Sequence, residues 1–169
     1  MNLGFVKNKT YQDLFIIFLI FIFDRISKIF VINIYLQNSF SEIFKSKFLN
    51  IHLIWNDGIA FGLLSISEGN LYNFFTSFIV LIIFGIFLMF YKSKGLRRYS
   101  YLMIVGGAIG NLFDRIVYKA VPDFIDFHIK DFHWFIFNIA DVFITVGIFF
   151  MIFIEFTDKN KEQNNYEKT

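Results

Sequence analysis

The run LYNFFTSFIVLIIFGIFLMFY, residues 71–91, decides the architecture. No charged residue stands between Glu68 and Lys92, and about 20 apolar residues are what a helix needs to cross the ~30 Å hydrocarbon core of a bilayer. The rest of the chain agrees with that reading. Of 169 residues, 56% are hydrophobic and 22% aromatic, with 27 Phe, while only 18% are charged, too few to clothe a soluble core of this size. There is no Cys, which removes disulfides, thiol nucleophiles, thiolate zinc sites and lipidation of the chain itself. The 16 basic and 14 acidic residues are too evenly balanced to indicate a nucleic-acid partner.

Three further stretches have the length of a span. Residues 14–36 are apolar apart from the interruption Asp24-Arg25-Ile26-Ser27-Lys28, residues 99–118 stay uncharged as far as Asp114-Arg115, and residues 134–156 are broken only by Asp141 and Glu155. The first is not a cleaved signal sequence, because no small-x-small site follows it and the apolar pattern resumes after the charges. Four transmembrane helices are therefore expected, in one domain over residues 1–157, with residues 158–169 a cytoplasmic tail too polar to order itself. Lys7, Lys9, Lys92, Lys94, Arg97, Arg98, Lys159, Lys161 and Lys168 fall on one side and only Lys45, Lys47, Lys119 and Lys130 on the other, which places both termini in the cytoplasm. Alternation over residues 48–55, the turn signal Asn56-Asp57-Gly58 and the apolar residues after it predict a small antiparallel hairpin at the membrane surface, whereas residues 119–133 read as a loop.

The charged and amide residues inside the spans converge on one depth. At about 1.5 Å per residue, Asp24 and Lys28 lie about 18 and 24 Å along the first helix, and Asn111, Asp114 and Arg115 fall at about the same height on the third. Asn138 and Asp141 enter the fourth helix in the outer third of the membrane. Asp24/Lys28 and Asn111/Arg115 are i,i+4 pairs and Asn138/Asp141 is i,i+3, so each pair shares a helix face. A charge in lipid costs roughly 2.5–3.5 kcal/mol, so these groups should face one another. Structural ion pairing is the alternative for any one pair; the whole set at one depth favours a site. Gly106 and Gly110 have the small-xxx-small spacing of close helix packing.

Two carboxylates in a partly desolvated pocket share a proton, leaving one as base and the other as acid. Asp141, and Asp123 on the loop that leads to it, are the pair most easily brought together; Asp114 beside Arg115 reads more simply as an ion-paired structural group. His128 and His133 with Asp126 or Asp131 fit no known metal-ligand spacing, and His52 reads as a strand residue. Ser27 and Lys28, adjacent on a helix, point about 100° apart and cannot form a nucleophile–base pair. No metal or cofactor is expected.

Five motifs then stand in order: Asp24-Arg25-Ile26-Ser27-Lys28, Asn56-Asp57-Gly58-Ile59-Ala60-Phe61-Gly62, Gly110-Asn111-Leu112-Phe113-Asp114-Arg115, Val121-Pro122-Asp123-Phe124-Ile125 and Phe137-Asn138-Ile139-Ala140-Asp141. With them the chain resembles the bacterial signal peptidase II, or lipoprotein signal peptidase, family over nearly its whole length. The resemblance implies a mainly α, integral membrane fold of four transmembrane helices with a small extracytoplasmic antiparallel β-cradle. It also implies an aspartyl endopeptidase of the bacterial cytoplasmic (inner) membrane, active near the outer face without metal or cofactor. Its partners would be diacylglyceryl-modified prolipoproteins and membrane lipids, and the enzyme a monomer cutting just before the modified cysteine. By motif position Asp123 and Asp141 match the catalytic aspartates, and Asp24, Lys28, Asn56, Asn111, Asp114, Arg115 and Asn138 the polar residues that bind substrate or brace the site. One departure is Pro122, where the family usually has an apolar residue with a free N–H; Asp126 is a second candidate if that loop is shifted. A competing reading, a non-enzymatic transporter or scaffold with structural charge pairs, would need a polar path to the cytoplasmic side. The inner halves of the spans, such as residues 15–23 and 79–89, carry no ionisable group.

Overall fold

A computed structural model describes residues 3–38, 42–59, 64–65 and 69–166 of the chain. The described residues form four long helices, α1 (Leu3–Asn38), α2 (Gly69–Lys92), α3 (Gly95–Tyr118) and α4 (Ile139–Tyr166). Of these, Tyr72–Lys92 and Ile139–Asp158 are long and apolar enough to cross a membrane on composition alone. The helix α1 carries Asp24, Arg25 and Lys28, and α3 carries Asp114 and Arg115 with several small and polar residues, so neither stands out by composition. The two differ from α2 and α4 because their polar groups face each other.

The bundle is apolar on the outside. Phe15, Phe23 and Phe30 on α1, Leu81 and Phe84 on α2, and Phe149 and Phe153 on α4 are each more than half exposed, while Asp24, Lys28 and Asp114 are fully buried. Such an inversion suits an apolar solvent, which makes an exposed Phe neutral and an exposed charge costly. α3 sits at the centre and packs on the other three helices. Near its start, Tyr101 and Leu102 are buried with Phe90 of α2, and Ile16, Ile17, Ile86 and Met151 bring in the remaining helices.

Two glycines of α3 set how closely its neighbours approach. A Cβ on Gly106 would stand 3.0 Å from the Ile20 side chain, and one on Gly110 would stand 2.7 Å from Asp24 Oδ2. The small-xxx-small spacing thus brings α1 close enough for its carboxylate to lie against the α3 backbone. On the adjacent face, Gly107 has the Ala140 carbonyl of α4 where a Cβ would be.

The strands differ from the expected hairpin. β1 (Phe44–Lys45), β2 (Leu49–Asn56), β5 (Val121–Ile129) and β6 (Phe132–Phe137) form one antiparallel sheet in the order β1-β2-β5-β6. β3 (Gly58–Ile59) and β4 (Leu64–Ser65) pair separately. β2 therefore does not fold back on the residues after Asn56-Asp57-Gly58; its partner across the sheet is β5, in the segment that had read as a loop. Residues 60–62 of the second motif lie outside the described residues.

Two boundaries are also corrected. Residues 134–137, expected to open the fourth span, belong to a strand, Phe132–Phe137, paired with β5 across a turn at Lys130-Asp131, and α4 starts only at Ile139. The same helix continues to Tyr166, so the tail expected to be disordered is helical that far. Lys, Glu and Gln prolong an existing helix readily, because nucleation has already been met; residues 167–169 lie outside the described residues.

Replacing Gly110 by Ala should overpack the α1–α3 contact and lower stability by about 1–3 kcal/mol. Gly85→Ala on α2, where nothing lies within 4 Å of the added methyl, should leave stability intact or slightly raised. Thermal unfolding of the two variants in the same detergent checks the contrast.

Candidate active site

The polar centre begins with four charges on two helices. Arg25 donates to both oxygens of Asp114, with Nη2–Oδ2 at 2.7 Å, and to Asp24 Oδ2 at 2.6 Å. Lys28 Nζ donates to Asp24 at 3.0 Å, to Asp114 Oδ2 at 2.6 Å and to Asn111 Oδ1 at 2.9 Å. Two acids and two bases cancel, and burial is tolerable only because nearly every donor and lone pair is met. Asp24 also reaches α4, its Oδ1 accepting the Ala140 N–H at 3.1 Å. Asp114 is therefore the ion-paired group expected, but its partners are Arg25 and Lys28. Arg115, adjacent in sequence, turns its guanidinium back to its own helix and donates to the Asn111 carbonyl at 3.3 Å.

Against this cluster stand Asp123 on β5 and Asp141 in the first turn of α4, each held by asparagine. Asn56 Nδ2 donates to Asp123 Oδ2 at 2.9 Å and Asn138 Nδ2 to Asp123 Oδ1 at 2.6 Å. Asn111 Nδ2 donates to Asp141 Oδ1 at 2.7 Å. Asn138 also caps α4: its Oδ1 accepts the Asp141 N–H at 3.2 Å, and its own N–H donates to Asp141 Oδ2 at 3.1 Å. This reciprocal pair is a capping box, Asn138-Ile139-Ala140-Asp141. One side chain thereby touches both aspartates.

The direction of each amide follows from its oxygen. Asn111 Oδ1 faces an ammonium, Asn138 Oδ1 a backbone N–H, and Asn56 Oδ1 the Gly58 N–H at 3.0 Å. All three partners can only donate, so each oxygen must point there and each NH2 must point at an aspartate. Asp123 is buried, 3% exposed. Burial first, and then the nearby negative charge of Asp141, push its pKa from 3.8 up to about 6, against the pull of the Asn56 and Asn138 hydrogen bonds. A carboxyl so placed exchanges a proton near neutral pH, as acid–base work requires.

A profile described as Signal peptidase (SPase) II matches residues 16–157, which contain all of these groups. The chain belongs to the signal peptidase II family. It is 49% identical over 164 residues to a lipoprotein signal peptidase of Pelagibacter ubique, covering 97% of this chain and 98% of that one. With the lipoprotein signal peptidase of Anaplasma marginale it shares 38% identity over 141 residues, covering 82% of this chain and 81% of that one. A solved structure described as a bacterial membrane enzyme superposes with a TM-score of 0.73 at 27% identity, covering 89% of this chain and 90% of that one.

In this signal peptidase II chain, Asp24, Lys28, Asn56, Asn111, Asp114, Asp123, Asn138 and Asp141 come together in one bonded network, and Arg115 stays outside those bonds. Arg25 was missed as a site residue, although its place between Asp24 and Lys28 put it at the same depth. The capping box was also legible, as Asn-x-x-Asp before an apolar run, and would have fixed the start of α4. Pro122 pairs with Trp55 at the beginning of β5, before β6 joins at Ile125, so its lost N–H falls where the strand has a neighbour on one side only. Asp126 is turned to His133, which approaches its Oδ2 at 2.8 Å, and takes no part in the pairing with Asp141. Asp131 is in the turn between β5 and β6, while Asp126, His128 and His133 do come together despite their unfamiliar spacing.

Two outcomes follow. Lys28→Met removes the ammonium between two buried carboxylates and should cost about 3–5 kcal/mol of stability, read from unfolding in detergent. For Asp123, the folded state holds its proton more tightly than the unfolded chain does. Its contribution to stability is thus full below pH 3.8 and lost as the pH rises through 6. Between pH 4 and pH 7 the stability of the wild type relative to Asp123→Asn should fall by about 2 kcal/mol, measured by unfolding across that range.

Proposed function

We propose that this chain is a membrane-embedded aspartyl endopeptidase that removes signal peptides from prolipoproteins, cleaving before the diacylglyceryl-modified cysteine. The observation that carries the reading is the pair Asp123 and Asp141, bridged by Asn138 and backed by a neutralised charge cluster. Supporting it is an apolar groove of about 650 Å³ that reaches Asp141 and is lined by Phe127, Trp134, Phe135, Phe137 and Val142. Acyl chains and a hydrophobic signal helix can lie along such a wall while the scissile peptide meets the carboxylates.

The chemistry needs one proton between two acids. The ionised aspartate takes a proton from water as the water oxygen attacks the scissile carbonyl. The protonated one hydrogen-bonds the carbonyl oxygen, then gives its proton to the departing nitrogen as the C–N bond breaks. No covalent intermediate forms, and the two carboxyls titrate as a unit. Asn56, Asn111 and Asn138 are positioning residues here: they aim the carboxylates and leave the proton transfers to them. Lys28 acts one step further back, by fixing Asn111.

In this reading all four helices span the bilayer, α1 and α3 shielding their charges against each other, with both termini cytoplasmic and the sheet outside. A single domain over residues 1–157 then holds the whole site near the outer face. Asp123→Asn and Asp141→Asn, purified at normal yield, should each slow cleavage of a diacylglyceryl-modified precursor by about 100-fold or more. Near-normal turnover in either variant removes that aspartate from the dyad, and near-normal turnover in both ends the aspartyl reading.

A further inference from the structure

All three histidines of the chain gather around one carboxylate that the proposed chemistry does not use. Asp126 is 1% exposed, and His133 Nδ1 lies 3.0 Å from its Oδ1 and 2.8 Å from its Oδ2. His52 Nδ1 stands 4.0 Å from Asp126 Oδ2. The rings of His128 and His133 stack across the β5–β6 hairpin with centroids 5.0 Å apart and planes at 19°. One ligand atom from each of Asp126, His128 and His133 lies within 4.8 Å of the other two.

This cluster is not explained by folding alone. A buried carboxylate ordinarily has a cation or several donors. Among the described residues, no lysine, arginine or backbone N–H donates to Asp126, and imidazole is its only partner. His128 Nδ1 is buried with no hydrogen-bond partner among the described residues. One carboxylate and two imidazoles thus stand within reach of a single ion, and one of the imidazole nitrogens is not used by the fold. The His133 side chain is 53% exposed, which gives an ion a way in.

We propose that Asp126, His128 and His133 form a binding site for a divalent transition-metal ion of the zinc class. Two imidazole nitrogens and one carboxylate oxygen suit a borderline ion, with water completing the shell, and do not suit Mg2+ or Ca2+, which take oxygen ligands. The site is structural: it ties β5 to β6 three residues along the strand from Asp123, and it shares no ligand with the proposed dyad.

The test uses the full chain without a histidine tag, purified in detergent and stripped with a chelator, and titrated with Zn2+ by calorimetry and by thermal unfolding. One equivalent should bind and raise the unfolding midpoint, as a ligand selective for the folded state does. Mg2+ at the same concentration should do neither. His128→Gln and His133→Gln should each weaken Zn2+ binding about tenfold or more and remove the rise in midpoint. His133 is half exposed, so its replacement tests the site even if the His128 variant fails to fold. The proposal is overturned if the wild type takes up no stoichiometric Zn2+, or if the His133 variant binds it as the wild type does. Neither readout depends on peptidase activity, so the outcome stands apart from the aspartyl reading.

Discussion

The constraint on which the rest depends is the burial of four charges between two helices. Asp24, Arg25, Lys28 and Asp114 are out of reach of solvent in a protein whose surface is largely phenylalanine and isoleucine. In such surroundings the charges survive only as a neutral, almost fully bonded set, since one orphaned charge costs several kcal/mol. Neutrality fixes the pairing of α1 with α3, and Gly110 supplies the close approach that the pairing needs. Because Asp24 also accepts the Ala140 N–H, the same cluster fixes the start of α4. The position of Asp141 is thus set by charges that do not touch it.

Asparagine carries that order to the reacting groups. An amide has a donor end and an acceptor end of nearly the same shape, so by itself it orients nothing. Tied by its oxygen to a group that can only donate, it becomes a directed donor. The three asparagines are tied in this way by three different anchors: an ammonium on α1, a backbone N–H in the first turn of α4, and a backbone N–H just after β2. Helices and sheet therefore share the task of aiming two carboxylates. The sheet's part depends on β2 and β5 being neighbours, with Ile54 opposite Asp123 and Asn56 opposite Val121.

How much of this a sequence can say depends on whether the signal is local. Depth along a helix is local arithmetic, so the common level of Asp24, Lys28, Asn111, Asn138 and Asp141 could be read directly; Asp123 followed from the short loop leading to Asp141, and the motifs of the family supplied Asn56. Strand partnership is not local. Asn56-Asp57-Gly58 has the composition of a hairpin turn, yet β2 pairs with β5 some 70 residues on. The aromatic residues 134–137 read as the start of a span because an apolar strand and an apolar helix look alike in composition; the break is the capping box at Asn138, a polar signal. Which basic residue would pair with Asp114 was equally hidden. Sequence adjacency favoured Arg115, but a helix turns neighbours about 100° apart, and the charges that face Asp114 come from α1.

The two basic residues of the cluster also divide the work by their shape. Arg25 presents a planar fork: Nη1 and Nη2 meet the two oxygens of Asp114 together, and Nη2 also donates to Asp24. Lys28 presents three N–H bonds from one point, and three acceptors surround it: Asp24, Asp114 and the amide oxygen of Asn111. Arg25 also joins α1 to α3, but the point donor of Lys28 takes in the amide oxygen as well, because it does not demand that its acceptors be coplanar. An arginine at position 28 would spend its fork on one carboxylate and leave the amide oxygen without its anchor. With that anchor gone, Asn111 could turn its oxygen toward Asp141, acceptor facing acceptor. The identity of a buried lysine on α1 thus decides the direction of a hydrogen bond between α3 and α4.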